Sequence, residues 1–324
     1  MKNTVIVGLG AISKNHLNPV KNIGCLYGVC DIVSEKTKAI SEEFSCKAYN
    51  SFDDVIADEN VDCIHILTPH FLHFQMAKKV AEAGKTVVLE KPAVMNMKEF
   101  EQLTEIFKKN NTKNLIVLQN RYNPCIVYLK ENFNNLTNEL GNFLGSKGIL
   151  TWYRDEAYYN RSDWRGKYKT EGGGVLINQA PHIIDLLLYF GGQTKRFEGH
   201  SSLRSLKGII EVEDTCEAMI DFENGTRSIF YVTNGYVTNS PYDIEFVFEN
   251  GTVRYIYGGL IKSDKDGITQ LCEDEHITGE KKYWGKSHEI ILKKFYGGEV
   301  CPSLEDYRQT CEVIETLVNT KGRN

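Results

Sequence analysis

No stretch of this 324-residue chain approaches about 18 consecutive apolar side chains, which excludes a membrane-spanning helix. A cationic excess is missing too. The 38 Lys and Arg stand against 43 Asp and Glu, a net charge of -5, so no global field draws in nucleic acid or an anionic lipid surface. Proline is scarce, and neither an internal repeat nor a low-complexity segment occurs, which excludes collagen-like and disordered classes. The nine cysteines are odd in number and include no CxxC pair, so neither a disulfide framework nor a thiolate metal site is indicated. The opening MKNTVIVGLGAIS is apolar but broken by glycine, and it lacks the uninterrupted core of a signal peptide. Scattered thiols without such a leader suit a reducing compartment, and a cytoplasmic location is expected.

What is present is the balance of a soluble globular protein, 41% hydrophobic and 25% charged. At roughly 150 residues per domain, the length predicts two domains. Up to about residue 120, short apolar runs alternate with longer amphipathic ones. Thr4–Val7, Leu26–Cys30, Asp62–Leu67, Thr86–Leu89 and Leu115–Leu118 read as buried strands. Ser34–Phe44, Phe71–Ala83 and Lys98–Lys109 read as helices, with Gly84 placed to end one of them. This is the pattern of βαβ units, and it predicts a doubly wound parallel sheet of the Rossmann type in residues 1–120. Ligands of such sheets bind beyond the carboxyl ends of the strands.

Residues 121–324 read instead as an α+β domain with a large, mostly antiparallel sheet. Stretches 145–154, 214–222, 225–234 and 242–248 are rich in β-branched and aromatic residues, and Asn224-Gly225 and Asn250-Gly251 are hairpin dipeptides. Helices are expected at Pro124–Phe133, at about Gly174–Phe190 and at Leu304–Val318, the last packing back on the first domain.

Gly8-Leu9-Gly10-Ala11-Ile12-Ser13 follows the first strand and opens a helix. Gly8 permits the tight turn and Gly10 lets the backbone approach a pyrophosphate. Free N–H groups at Ala11, Ile12 and beyond supply positive partial charge. Asp31 ends the second strand about 20 residues later, where a carboxylate can accept both adenosine ribose hydroxyls and would repel a 2′-phosphate. Ile32 and Val33 follow it with no arginine, which favours NAD over NADP.

Thr68-Pro69 and Glu90-Lys91-Pro92 end two further strands, and Gly172-Gly173-Gly174 precedes a stretch holding Asn178, His182 and Asp185. Taken in order with the glycine turn and Asp31, these motifs resemble the Gfo/Idh/MocA family of nicotinamide-dependent sugar and polyol oxidoreductases. The resemblance implies that Lys91 lies beside the nicotinamide and the reacting hydroxyl, where a cation stabilises a developing alkoxide. It implies that His182 takes the hydroxyl proton. Glu90, Thr68, Pro69 and His73 are expected to line the cofactor cleft, and the bond before Pro92 is a candidate for cis geometry. The family commonly has aspartate where Asn178 stands; asparagine can bind a hydroxyl but carries no proton at neutral pH. Asp185 either orients the substrate or the histidine, or is a helix-surface acid. Pro181 either kinks this helix or begins it, which leaves the placement of Asn178 open.

Arg121 and Tyr122, in the segment Gln119–Pro124, are expected to face substrate, Arg121 as a bidentate partner for an acidic or phosphorylated group. Trp164 and Arg165 lie in a basic stretch, residues 161–169, that reads either as a solvated loop or as a substrate contact. The Asn178-Gln179-x-x-His182 wording is similar to family members that oxidise sugar nucleotides to keto sugars. His70 and His73 have a zinc-like spacing but no third ligand, so no metal is expected. The expected cofactor is NAD and the partner a sugar or nucleotide-linked sugar, with neither nucleic acid nor membrane. Copies are expected to pair as a homodimer or homotetramer through the second sheet. The family also contains NAD-dependent glycosidases that release free sugar with no net NADH, and a non-catalytic NAD-binding regulator is a third reading.

Overall fold

The computed structural model describes residues 3–274 and 286–320. The chain divides into two compact units, Met1–Val117 with His288–Arg308, and Leu118–Ser287 with Gln309–Asn324. No helix of the described residues is long and apolar enough to cross a membrane.

The first unit holds six strands, five of them at the expected apolar runs: β1 (Thr4–Val7), β2 (Leu26–Cys30), β3 (Lys47–Tyr49), β4 (Cys63–Ile66), β5 (Thr86–Leu89) and β6 (Asn114–Ile116). They form one parallel sheet in the order β3-β2-β1-β4-β5-β6. β1 and β4 are buried along their whole length, as strands covered on both faces must be. The order reverses between β1 and β4, so a crevice for ligands opens beyond their carboxyl ends. The three-residue edge strand β3 escapes the sequence pattern because Lys47 and Ala48 are exposed and leave no apolar run. Helix Phe52–Ala57 is capped by Ser51, whose side chain accepts from the Asp54 N–H at 3.1 Å. A helix at Ser287–Tyr296 was not expected from the sequence. The segment after it returns to the sheet edge: Ile116 N–H donates to the Pro302 carbonyl at 2.9 Å, and Leu304 N–H to Asn114 Oδ1 at 2.8 Å.

The second unit holds eight strands: β7 (Phe143–Thr151), β8 (Thr194–Ser202), β9 (Thr215–Phe222), β10 (Arg227–Thr233), β11 (Asp243–Phe248), β12 (Gly251–Ile256), β13 (Gly259–Asp264) and β14 (Gly267–Glu273). Their order is β14-β13-β12-β11-β7-β10-β9-β8, and every pairing is antiparallel except β7 with β10. The two Asn-Gly dipeptides fall at the β9–β10 and β11–β12 hairpins. Burial alternates along β10, with Phe230 inward and Ile229 and Tyr231 outward. On the inward side Phe190 packs edge-on against Phe246, ring centroids 4.7 Å apart, within a cluster that includes Phe133, Phe143 and Phe248.

The single helix expected over about 174–190 is two helices, Val175–Asn178 and Pro181–Gly191. Pro181 begins the second, at a first-turn position where its missing N–H costs nothing. Helix Pro124–Glu131 is followed by another at Phe133–Leu140, and the last helix runs Arg308–Asn319 after a 3-10 turn at Glu305–Tyr307.

Candidate active site

At the carboxyl end of β1 the chain turns sharply at Gly8, whose φ is +94°. A side chain there would be strained, and its Cβ would lie 2.8 Å from the Leu67 carbonyl. Gly10 has open space where a Cβ would sit, so a ligand can reach the backbone there. The turn continues through Ala11 and Ile12, and the helix starts at Lys14 with buried Ser13 in the place of a third glycine. Asp31 directly follows β2 with its oxygens turned to this loop: Oδ2 accepts from Leu9 N–H at 2.6 Å and Oδ1 from Val33 N–H at 2.9 Å. The carboxylate is thus fixed beside the glycine turn and keeps lone pairs for a further donor. Ile32 next to it is fully exposed. These residues fit a dinucleotide.

Thr68 and Pro69 follow β4, and Glu90, Lys91 and Pro92 follow β5, with a cis Lys91–Pro92 bond. His73 is buried in the helix His70–Glu82 and joins the two loops, its Nδ1 2.7 Å from the Pro92 carbonyl and its Nε2 2.8 Å from the Thr68 carbonyl. Both ring nitrogens are therefore engaged by protein. Burial pushes this imidazole below its ordinary range, against the pull of both carbonyls. Glu90 Oε2 accepts the Lys91 N–H at 3.2 Å, and Oε1 lies 3.0 Å from His16 Nε2. Burial alone would raise the Glu90 carboxyl, but the approach of His16 and His288 outweighs it and holds the group well below the usual carboxylate range.

In the second unit, His182 and Asp185 lie three residues apart on one face of the helix Pro181–Gly191, both buried. Gln119 opens a 3-10 turn, Gln119–Tyr122, and its Nε2 lies 3.0 Å from His182 Nε2. An amide can present its NH2 or, after a half-turn, its oxygen, so Gln119 can follow either protonation state of the imidazole. Arg121 and Asp185 form a bidentate pair, Nε to Oδ2 at 2.9 Å and Nη2 to Oδ1 at 2.7 Å. The guanidinium also lies 4.6 Å over the Tyr189 ring. The fork assigned to an acidic substrate group is thus turned to Asp185, and Asp185 is no surface acid.

Asn178 ends the short helix Val175–Asn178, outside the helix that carries His182. Its Nδ2 donates to Glu171 Oε1 at 2.5 Å, and Glu171 Oε2 accepts the Gly166 N–H at 2.5 Å. One buried carboxylate thereby links Asn178 to the basic loop. In that loop the Arg165 guanidinium lies 4.6 Å over Tyr158 and 5.3 Å over Trp164. Beneath the same helix, Glu213 Oε1 accepts from the Gly174 and Leu176 N–H groups at 2.8 and 3.1 Å. A Cβ at Gly174 would lie 1.8 Å from the Glu213 carbonyl oxygen, so this contact requires glycine. Burial pushes the Glu213 carboxyl up to about 7 in spite of those two donors.

Gln119, Glu171 and Glu213 were missed as site residues. Gln119 lay in the segment Gln119–Pro124 marked as facing the cleft, and Glu171 is an acid directly before three glycines, whereas nothing in the sequence marks Glu213.

A glycine turn at a sheet's reversal point, with an acid directly after the next strand, defines the class of dinucleotide-binding Rossmann proteins. The model of the oxidoreductase family with an NAD-binding Rossmann fold matches residues 2–118, and that of the GFO/IDH/MocA C-terminal domain matches 137–254. The chain belongs to the Gfo/Idh/MocA family. It is 23% identical to levoglucosan dehydrogenase of Pseudarthrobacter phenanthrenivorans, over 90% of this chain and 85% of that protein. It is 29% identical to UDP-N-acetylglucosamine 3-dehydrogenase of Acidithiobacillus ferrooxidans, over 40% of each. Among solved structures, the WlbA dehydrogenase from Bordetella pertussis in complex with NADH and UDP-GlcNAcA superposes with a TM-score of 0.81, at 25% identity over 98% of this chain and 95% of that one.

Proposed function

We propose that this protein is an NAD-dependent dehydrogenase that oxidises a ring hydroxyl of a nucleotide-linked sugar. The observation that carries the reading is the buried His182 imidazole held by the neutral amide of Gln119, a setting in which it can gain and lose a proton. The nicotinamide, when bound, supplies the hydride acceptor. Gly8, Gly10, Ala11 and Ile12 hold the pyrophosphate, and Asp31 takes the ribose hydroxyls and selects NAD over NADP. Thr68, Pro69 and His73 form the cleft wall, and Glu90 fixes the Lys91 backbone.

His182 takes the hydroxyl proton as the carbon–hydrogen bond breaks, and Lys91 donates a hydrogen bond to the oxygen on which charge grows. Asn178 binds a neighbouring hydroxyl, and the Arg121–Asp185 pair fixes the helix that carries His182. Tyr122, Trp164 and Arg165 contact the substrate. Arg165, whose guanidinium lies over the Tyr158 and Trp164 rings, is suited to a diphosphate. The likeness to the WlbA dehydrogenase supports this choice of substrate class. Ile149, Ile229 and Tyr231, exposed on neighbouring strands β7 and β10, form the face through which copies pair.

The test is NADH formation with NAD and a panel of nucleotide-linked sugars, uronates, free sugars and polyols. A sustained rise with nucleotide-linked sugars is expected, and His182→Ala should lower kcat by about 10²–10⁴-fold while leaving NAD affinity unchanged. Full turnover by that variant would sink the assignment. Binding of NAD without NADH would point to the glycosidase or the regulator, which a chromogenic glycoside separates.

A further inference from the structure

Three side chains from positions 16, 90 and 288 converge inside the first unit. His16 lies in the helix Lys14–Asn22, Glu90 follows β5, and His288 lies in the helix Ser287–Tyr296. All three are buried, and each offers a ligand atom within 4.8 Å of the others. His16 Nε2 lies 3.0 Å from Glu90 Oε1, and His288 Nε2 lies 3.4 Å from the same oxygen. His288 is only 3% exposed, yet neither of its ring nitrogens is aligned for a hydrogen bond. Leaving a buried polar group in that condition costs on the order of 1–3 kcal/mol, so an unsatisfied imidazole aimed at a carboxylate calls for an occupant.

The surroundings are built as an outer shell for such an occupant. His16 Nδ1 lies 2.8 Å from His65 Nδ1, His65 Nε2 2.9 Å from the Tyr296 hydroxyl, and that hydroxyl 2.6 Å from Thr4 Oγ1. Run in one direction, His16 donates from Nδ1 to His65, His65 donates to Tyr296, and Tyr296 donates to Thr4. The lone pair of His16 Nε2 then faces Glu90. Ligating histidines are oriented by just such a bond at the other ring nitrogen.

We propose that His16, Glu90 and His288 bind a divalent transition metal. Two imidazoles and a carboxylate suit zinc and its neighbours, whereas magnesium and calcium prefer all-oxygen sites. The ion anchors the returning helix Ser287–Tyr296 beside β5, and through Glu90 Oε2 it steadies the Lys91 backbone. It is a structural ion and takes no part in the proposed oxidation, so the site stands or falls apart from that reaction.

The test uses the full chain, stripped of metal and then equilibrated with Zn²⁺ or Co²⁺. One tightly bound ion per chain is expected by elemental analysis, with a Co²⁺ visible spectrum of a tetrahedral nitrogen–oxygen site. Zn²⁺ should also raise the unfolding temperature. His288→Gln should weaken binding by at least about tenfold. Absence of a stoichiometric ion, an intense near-ultraviolet band marking cysteine ligation, or unchanged affinity in folded His288→Gln would each overturn the proposal. Should that variant not fold, the stoichiometry and spectrum of the parent chain decide alone.

Discussion

The two units differ in how far along the chain the bonds at their sequence-marked residues reach, leaving aside the returning segment His288–Arg308 and the buried histidines, whose bonds span 49 to 292 positions. In the first, the Ser51 cap closes on Asp54, Asp31 closes on Val33, and β1 to β5 are each followed directly by a helix. In the second, Arg121 meets Asp185 across 64 positions, Asn234 Nδ2 meets Gln179 Oε1 across 55, and Gly174 meets Glu213 across 39. Local bonds fix local geometry and tolerate change. Two of the distant ones, at Asp185 and Glu213, satisfy a buried carboxyl group, and their loss leaves that group stranded.

The sharpest test of that difference is Arg121→Leu. It would leave the Asp185 carboxylate, whose side chain is 1% exposed, without its partner. A loss of about 3–5 kcal/mol in the denaturant unfolding of this unit is expected, largely recovered in the double variant with Asp185→Leu. A loss below about 1 kcal/mol, the scale of an exposed pair, would erase the contrast.

Glu213 gives an intermediate effect with a definite sign. Its folded carboxyl titrates near 7 against an ordinary 4.5, so the folded state binds the extra proton. The stabilisation this provides is fully present below pH 4.5 and is lost as pH rises through about 7, by about 3 kcal/mol in all. Glu213→Gln should remove that pH dependence. The stability difference between parent and variant, followed from pH 4 to pH 8, measures it; a flat difference would place the titration elsewhere.

The smallest effect belongs to the first unit. Ser51→Ala deletes one cap on an exposed six-residue helix and should cost about 1 kcal/mol, visible as faster amide exchange in that helix alone. Spread of the effect across the sheet would mean that these contacts are less local than they look.

Legibility in the sequence follows the same division. β1, β2, β5 and the helix Ser34–Phe44 fall at their expected boundaries, because buried parallel strands are continuous apolar runs. The glycine turn, Asp31 and the Glu90-Lys91-Pro92 motif were readable because each sits at a strand end. In the second unit the motif named His182 and the strand end named the segment Gln119–Pro124, but nothing in the sequence marks that Gln119 meets His182 63 positions later. The break at Pro181 was open in the sequence, as a proline is compatible with either a kink or a start. The pairing of Arg121 with Asp185 was invisible, because each looked like a substrate contact by itself.

The return of residues His288–Arg308 to the first unit bears on the order of events during synthesis. A ribosome that has finished Val117 has made every strand of the first sheet, but not the segment that bonds to β6 at its edge. That segment emerges only after residues 118–287 have been made, a delay of roughly ten to thirty seconds at 5–20 residues per second. Meanwhile an open sheet edge waits in solution, a template for wrong pairing. The unit whose pattern is easiest to read thus stays incomplete until nearly the end of the chain.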